Sequence, residues 1–182
     1  MSDVRKSKRK QSRLEALDLA YDLRQQMTAE ILASFALSEK RLEKHLDTMV
    51  KGMGTKDQKD ELKKTIAELE LDKQLWLIKE ERSEMLRLSR SIPQNIRRAN
   101  SIFPMYITEW TERRRLLDLV LADCNAIQDE LNYTARNILG DINKYKNIVK
   151  GYEKLFSLIK RLRQSDNRLI PKIKENEAKL RQ

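Results

Sequence analysis

Turn-forming residues are scarce in this chain. Its 182 residues include 4 glycines and 3 prolines, and aromatic residues make up 5%. Both glycine and proline fall far below their average usage in globular proteins. Sandwiches, barrels and doubly wound sheets need many turns, so the composition argues against them and favours one nearly all-helical domain.

Cysteine and long apolar runs are also scarce. Cys124 is the one cysteine, so no disulfide can form within the chain. The longest apolar runs have three or four residues, whereas a membrane-spanning helix needs roughly 20. The first ten residues, MSDVRKSKRK, contain no apolar region of a secretory signal. We therefore expect a protein without a membrane span, in the cytoplasm or, in a eukaryote, the nucleus.

Residues for catalysis and metal binding form no motif. His45 is the only histidine, no zinc-ligand spacing connects it with Cys124, and there is no glycine-rich phosphate loop. A Cys–His pair stays open as an alternative because the two residues fall on different predicted helices. Cys124 lies on an apolar stripe, which favours a small buried hydrophobe. We predict no enzyme activity, no catalytic or metal-binding residues and no cofactor.

Positive charge, by contrast, is in excess and lies at the two ends. Lys+Arg total 38 and Asp+Glu 28, which gives a formal net charge of +10. Residues 1–13 carry six Lys/Arg against one acid, and residues 144–182 carry twelve against four, so the middle is acidic overall. This distribution is typical of nucleic-acid binding. An anionic membrane surface or an acidic protein partner is also compatible with it.

Apolar residues recur at steps of three, four and seven, which is the spacing of a helix face. Two stripes on the second predicted helix indicate contacts on two sides, as in a bundle or an oligomer. Gly151 is expected to mark a close approach of two helices. The predicted helices cover residues 12–50, with a break near residue 38, and residues 56–89, 105–139 and 141–163, with a short segment at 93–103 that Pro93 separates from the second helix.

The predicted fold is therefore all-α: an elongated four-helix bundle with a short extra helical segment and basic tails. Residues 1–11 are predicted to be a disordered basic arm, 12–164 the bundle, and 165–182 a charged tail that is weakly helical at best because Pro171 interrupts it. A coiled-coil rod ranks second, since the heptads do not continue through the links.

Basic clusters supply the candidate nucleic-acid-binding residues. Lysine and arginine near phosphates release counterions, and the planar guanidinium also stacks on bases. No known RNA-recognition or zinc-finger signature is present, so recognition of the phosphate backbone is expected. The candidates are Arg5, Lys6, Lys8, Arg9, Lys10, Arg97, Arg98, Arg113, Arg114, Arg115, Lys150, Lys154, Lys160, Arg161 and Arg163.

One segment, 87–96, reads RLSRSIPQNI and is similar to a motif of the helical proteins encoded in 23S rRNA intervening sequences. Residues 16–23, 116–138 and 152–159 also resemble helices of that family, which includes the accessory variability determinants of diversity-generating retroelements. The chain departs from the family in residues 50–86, which would be a long insertion, and in Arg97-Arg98-Ala99, which replaces Ala-Glu-Gly. The resemblance implies a basic, oligomeric bundle that works with a reverse transcriptase and RNA.

The sequence thus predicts a non-enzymatic bundle that binds RNA or DNA through the phosphate backbone. It would form a homo-oligomer and assist a larger machine, such as a polymerase or reverse transcriptase. The alternative is a structural or assembly subunit of a phage, a cytoskeletal element or a multiprotein complex, which would bind partner helices.

Overall fold

The structure, a computed structural model, describes residues 13–33, 39–52, 54–137 and 142–180. These residues form six α-helices and one short 3₁₀ helix, and they include no β-strand, so the all-α prediction is confirmed. The helices are α1 (Arg13–Leu32), α2 (Glu39–Met49), α3 (Lys56–Ser101), α4 (Ile107–Asn137), α5 (Lys146–Asn167) and α6 (Ile170–Leu180), and the 3₁₀ helix (Ile142–Tyr145) precedes α5.

The core lies where four of the helices meet. α1 packs on α3 and α5, and α4 also packs on α3 and α5. Leu131 of α4 and Leu155 of α5 are both buried in this one apolar cluster. Further members from each helix are Leu23, Met27, Ile78, Met85, Leu88, Ile92, Ile96, Leu117, Val120, Ile127, Tyr152 and Ile159.

α3 continues through Pro93, so the prediction of a separate segment at 93–103 is wrong. Proline removes one helical hydrogen bond and costs about 3 kcal/mol in a helix interior. Here Ile92 and Ile96 on the same turns are fully buried, and their burial offsets that cost. The side-chain Nδ2 of Asn95 also donates to the Ser91 hydroxyl at 3.0 Å, across the turn that proline weakens.

The C-terminal segment forms a helix, which contradicts the prediction of weak helicity. Pro171 is the second residue of α6, in the first turn, where its missing N–H would have no helical partner. Ile173 is buried, and α6 packs on α4. The amide of Ile107 also donates to Oε1 of Glu177 at 2.9 Å, so α6 covers the start of α4.

Glycines determine the local structure at two places, and the close approach expected at Gly151 is one of them. Gly52 and Gly54 both have positive φ, at 93° and 47°, in the turn before α3, where side chains other than glycine are disfavoured. Gly151 on α5 faces Leu23 of α1 so closely that an added Cβ would overlap Cδ2 of that leucine. Among the described residues, no helix is long and apolar enough to cross a membrane.

Candidate nucleic-acid interface

Arg113 lies in the interior and not on the surface. Its Nε is 2.6 Å from Oδ2 of Asp166 on α5, and its side chain is 0% exposed. Its Nη1 donates to the main-chain oxygens of Ala99 and Ile102. Because a phosphate cannot reach this guanidinium, the structure contradicts the prediction that Arg113 binds nucleic acid. Arg113 instead joins the beginning of α4 to the ends of α3 and α5.

Arg114, the next residue, faces a surface pocket between α4 and α5. We call this the polar pocket; its volume is about 180 Å³, and it is lined by Arg114, Lys160, Arg163, Gln164 and Asn167. Nη1 of Arg114 donates to Oδ1 of Asn167 at 2.8 Å. Consecutive residues on a helix point about 100° apart, which explains why Arg113 is buried while Arg114 reaches the pocket.

Asp118 holds two of these cations in place. Its Oδ1 lies 2.8 Å from Nε of Arg163 and 3.7 Å from Nε of Arg114. One carboxylate therefore faces two guanidinium groups, with Lys160 nearby in the same pocket. The pocket keeps a surplus of positive charge, and the ion pairs fix the positions of the guanidinium groups before any ligand binds.

The exposed side of α5 continues this positive surface. We call its exposed cations, Lys146, Lys150, Lys154, Lys160 and Arg161, the basic face. The first three are four residues apart, which places them about 6 Å from one another along the helix. The two acids of α5 are Glu153, which is exposed, and Asp166, which is buried against Arg113. The surface of α5 is therefore strongly basic.

Arg97, Arg98 and Arg115 lie elsewhere. Arg97 donates to the hydroxyl of Tyr21 on α1, and its guanidinium carbon is 5.7 Å from the centre of that ring. Arg115 makes two bonds to Glu112, at 2.7 and 2.8 Å. These bonds lower the pKa of Glu112 and raise the pKa of Arg115. Arg98 is exposed in the last turn of α3.

The structure thus brings three of the predicted residues into one pocket, Arg114, Lys160 and Arg163, with Lys150, Lys154 and Arg161 on the adjoining basic face. Sequence reasoning missed Lys146, although its four-residue spacing from Lys150 was a usable signal. It also missed Gln164 and Asn167, whose place in the pocket depends on how α4 and α5 pack. Arg5, Lys6, Lys8, Arg9 and Lys10 lie outside the described residues.

The thiol of Cys124 is withdrawn from solvent. Burial, with a smaller contribution from Asp123, raises the pKa of the Cys124 thiol to about 12. A thiol with that pKa is neutral near pH 7, and the thiolate is the nucleophilic form. In the part of the chain that the structure describes, no three His, Cys, Asp or Glu side chains are grouped so that they could hold a metal ion.

No protein-family model, curated protein or solved structure matches the chain.

Proposed function

We propose that this protein is a non-enzymatic nucleic-acid-binding protein that contacts phosphates through the basic face and the polar pocket. The observation that carries the proposal is the pocket itself, in which two helices place Arg114, Lys160 and Arg163 together. Guanidinium groups suit phosphate oxygens because they form paired, planar hydrogen bonds.

The helical setting supports this proposal. Cations on a packed helix are partly ordered before binding, so less conformational entropy is lost than on a flexible arm. Each phosphate that a lysine or arginine neutralises releases condensed counterions, which favours binding at low salt. A surface of this kind follows the backbone and not the base sequence. Its role would be accessory to a larger machine, such as a polymerase or the reverse transcriptase that the family resemblance implies.

We also propose that α1, α3, α4 and α5 form a four-helix bundle, because each of them packs on at least two of the others. The pocket would then lie on the outside of the bundle, between the neighbouring helices α4 and α5. Such an arrangement leaves the basic face open to a long polyanion, and a homo-oligomer would repeat that face around a symmetry axis.

The test is a charge-neutralising variant with a matched control. Replacing Lys150, Lys154, Lys160, Arg161 and Arg163 with Gln should weaken binding to a labelled oligonucleotide. It should also flatten the salt dependence by about 0.7–0.9 in slope per lost phosphate contact. The control replaces five exposed lysines on α2 and α3 with Gln, so the net charge falls equally: Lys40, Lys44, Lys56, Lys64 and Lys79.

Fluorescence anisotropy at several salt concentrations measures both variants, and circular dichroism checks that they fold. The control should retain the salt slope of the parent protein. Equal losses of affinity in the two variants would mean that net charge alone causes the loss, which would refute the proposed site. An unchanged slope in the α5 variant would refute it as well.

A second candidate function, the assembly subunit that binds partner helices, is favoured by one observation. Leu69, Leu75 and Trp76 on α3 are 57%, 49% and 65% exposed. Exposed apolar side chains along one helix are common at protein interfaces. This function predicts a defined complex that resists nuclease and is lost in a Leu69→Ala/Trp76→Ala variant.

A further inference from the structure

The connection between α3 and α4 exposes three large apolar side chains within four residues. Phe103 is 69% exposed, Met105 47% and Tyr106 46%. Single exposed apolar residues are ordinary on protein surfaces. Three in such a short segment are unusual, since each could have been polar without any loss to the core.

The backbone of this connection is held from both sides. Nη1 of Arg113 donates to the main-chain oxygen of Ile102 at 3.3 Å. Oε2 of Glu109 accepts from the amides of Met105 and Tyr106 at 2.8 and 3.3 Å, and Pro104 between the exposed side chains is buried. The rings are therefore presented by a fixed backbone and not by a loose loop.

The same connection leads directly into the polar pocket. The amide of Trp110 donates to the main-chain oxygen of Tyr106 at 3.0 Å, so the first helical turn reaches back to Tyr106. Residues four apart share one helix face, so Tyr106, Trp110 and Arg114 form one row. We call this row the stacking track.

Contacts along the stacking track fix its orientation. The guanidinium carbon of Arg114 lies 5.8 Å from the centre of the Trp110 ring. Nε1 of Trp110 donates to the main-chain oxygen of Asp166 at 3.2 Å, which ties the half-buried indole to α5. The track therefore ends at Arg114, inside the pocket where the proposed function places a phosphate.

We propose that the nucleic acid bound here is single-stranded, with unpaired bases stacked on Phe103 and Tyr106 beside phosphates held in the polar pocket. This inference rests on the proposed function and names its substrate class. Aromatic rings can stack only on bases that are not already stacked in a duplex, and single-strand-binding proteins combine such rings with a cationic groove. A strand is a better match than an anionic membrane surface, because the row of Tyr106, Trp110 and Arg114 leads from an exposed ring into the polar pocket.

The experiment compares a 20-nucleotide single strand with a duplex of the same sequence, using anisotropy. Phe103→Ala/Tyr106→Ala should weaken single-strand binding by at least about tenfold, since stacking makes a large contribution per base. Duplex binding should stay unchanged, because it uses only the phosphates. Leu32→Ala/Tyr133→Ala is the matched control: both residues are exposed apolar side chains outside the track, and the substitutions should leave both affinities unchanged.

A second measurement keeps Phe103 and Tyr106 unchanged and follows the fluorescence of Trp110. The chain has 2 tryptophans, so Trp76→Phe leaves Trp110 as the one indole. The single strand should quench and shift its fluorescence more than the duplex does at equal saturation.

The outcomes separate the two proposals. If the Phe103→Ala/Tyr106→Ala variant binds both ligands as the parent does, stacking is refuted while phosphate binding stands. If the parent binds neither ligand, the proposed function fails and this inference fails with it. Binding to phosphatidylserine vesicles that this variant abolishes, without preference for the single strand, would assign the exposed rings to a membrane surface and overturn the inference.

Discussion

Arg113 and Asp166 are both buried, and each side chain compensates the charge of the other. Removing an arginine and a carboxylate from water costs several kcal/mol per ion, so the pair contributes little net stability over an apolar pair of the same shape. Its main effect is positional: the guanidinium also donates to the main-chain oxygens of Ala99 in α3 and of Ile102, which directly follows α3. The pair therefore fixes three helix ends relative to one another.

Removing one partner of this pair should destabilise the protein strongly. Asp166→Ala leaves the Arg113 charge buried and uncompensated, so we expect the free energy of unfolding to fall by about 3–5 kcal/mol. Urea denaturation followed by circular dichroism measures it. Glu112→Ala, which removes an exposed partner of Arg115 on the same helix, serves as the control and should have little effect. A similar small loss for Asp166→Ala would contradict the structural role of the pair.

Glu81 is another buried ionisable residue, on the side of α3 that faces α4. It is 8% exposed, and it lies against Glu130 and the buried Thr134. The pKa of Glu81 is raised to about 7, and burial is the main cause. The hydrogen bond and the charge of Glu130 act in the same direction, whereas Thr134 lowers the pKa. The surroundings of Glu81 therefore favour its protonated form.

This pKa makes the stability depend on pH. Between pH 4.5 and about 7 the folded protein holds a proton that the unfolded chain has lost. The contribution of Glu81 to the free energy of unfolding is therefore largest in acid and falls as the pH rises through that window. Glu81→Gln cannot ionise, so it should be more stable than the parent at pH 8 by about 1–3 kcal/mol and similar to it at pH 5. Thermal or urea unfolding at both pH values measures this, with exposed Glu80→Gln as control. Equal stability of parent and variant at pH 8 would show that the Glu81 carboxylate is not strained.

At the scale of elements, α1 and α5 approach each other closely at Gly151. The missing side chain leaves space for Leu23 of α1, which is almost fully buried. Glycine costs about 1 kcal/mol relative to alanine within a helix. The packing of Leu23 offsets this cost. Gly151 therefore stabilises the contact between α1 and α5, although it destabilises the helix α5 itself.

A double-mutant cycle tests this account. Gly151→Ala should destabilise the parent by about 1–3 kcal/mol, the usual cost of overpacking a core. In a Leu23→Ala background, where the obstruction is gone, the same change should stabilise by up to about 1 kcal/mol through helix propensity. Urea denaturation of all four proteins gives the coupling energy. A Gly151→Ala effect of the same sign and size in both backgrounds would mean that the two residues do not compete for space.

The apolar periodicity of the sequence predicted the positions of the helices well. It predicted less well which side of each helix is buried. The stripe of α4 through Leu117, Val120 and Leu131 is buried, as its regular spacing indicated. In α1 the apolar spacing predicted a stripe through Leu17, Tyr21, Met27 and Ile31. Met27 and Ile31 are buried as predicted, but Leu17 is only partly buried and Tyr21 is exposed. Ala16, Ala20 and Leu23 are buried in addition; the two alanines allow close helix approach, and a search for large residues overlooks them.

Tertiary packing decided what local signals could not. Pro93 is a local stop signal, yet burial on both sides keeps α3 helical. Among the three consecutive arginines 113–115, the sequence gives no reason to select one for the interior, since the choice depends on where Asp166 lies. The candidate site was predictable as a set of cations on α5, but its pocket depends on a contact between helices far apart in the chain.

Across the whole molecule, burial is distributed unevenly along α3. None of the residues 56–69 is buried, whereas Met85, Leu88, Ile92, Ile96 and Ala99 all are. α2 packs on α3, and Leu46 of α2 and Val50, which directly follows α2, are buried. The first part of this helix therefore has fewer interactions that resist local opening.

Hydrogen exchange should show this gradient directly. Amides in residues 58–69 should exchange orders of magnitude faster than those in residues 88–99, whose protection should approach that of global unfolding. Mass spectrometry of peptic peptides at neutral pH resolves both segments. Uniform protection along α3 would indicate instead that the helix opens as one cooperative unit.

The 46 residues of α3 form one unbroken helix about 70 Å long. A spherical domain of 182 residues has a radius of gyration of about 16 Å, so this one helix is longer than the diameter of such a sphere. The chain therefore diffuses more slowly than its 21.6 kDa mass suggests. On a size-exclusion column calibrated with compact standards it should elute early, and that early elution alone would overstate the number of copies in an assembly. Light scattering or sedimentation equilibrium, which report mass independently of shape, are the appropriate ways to count them.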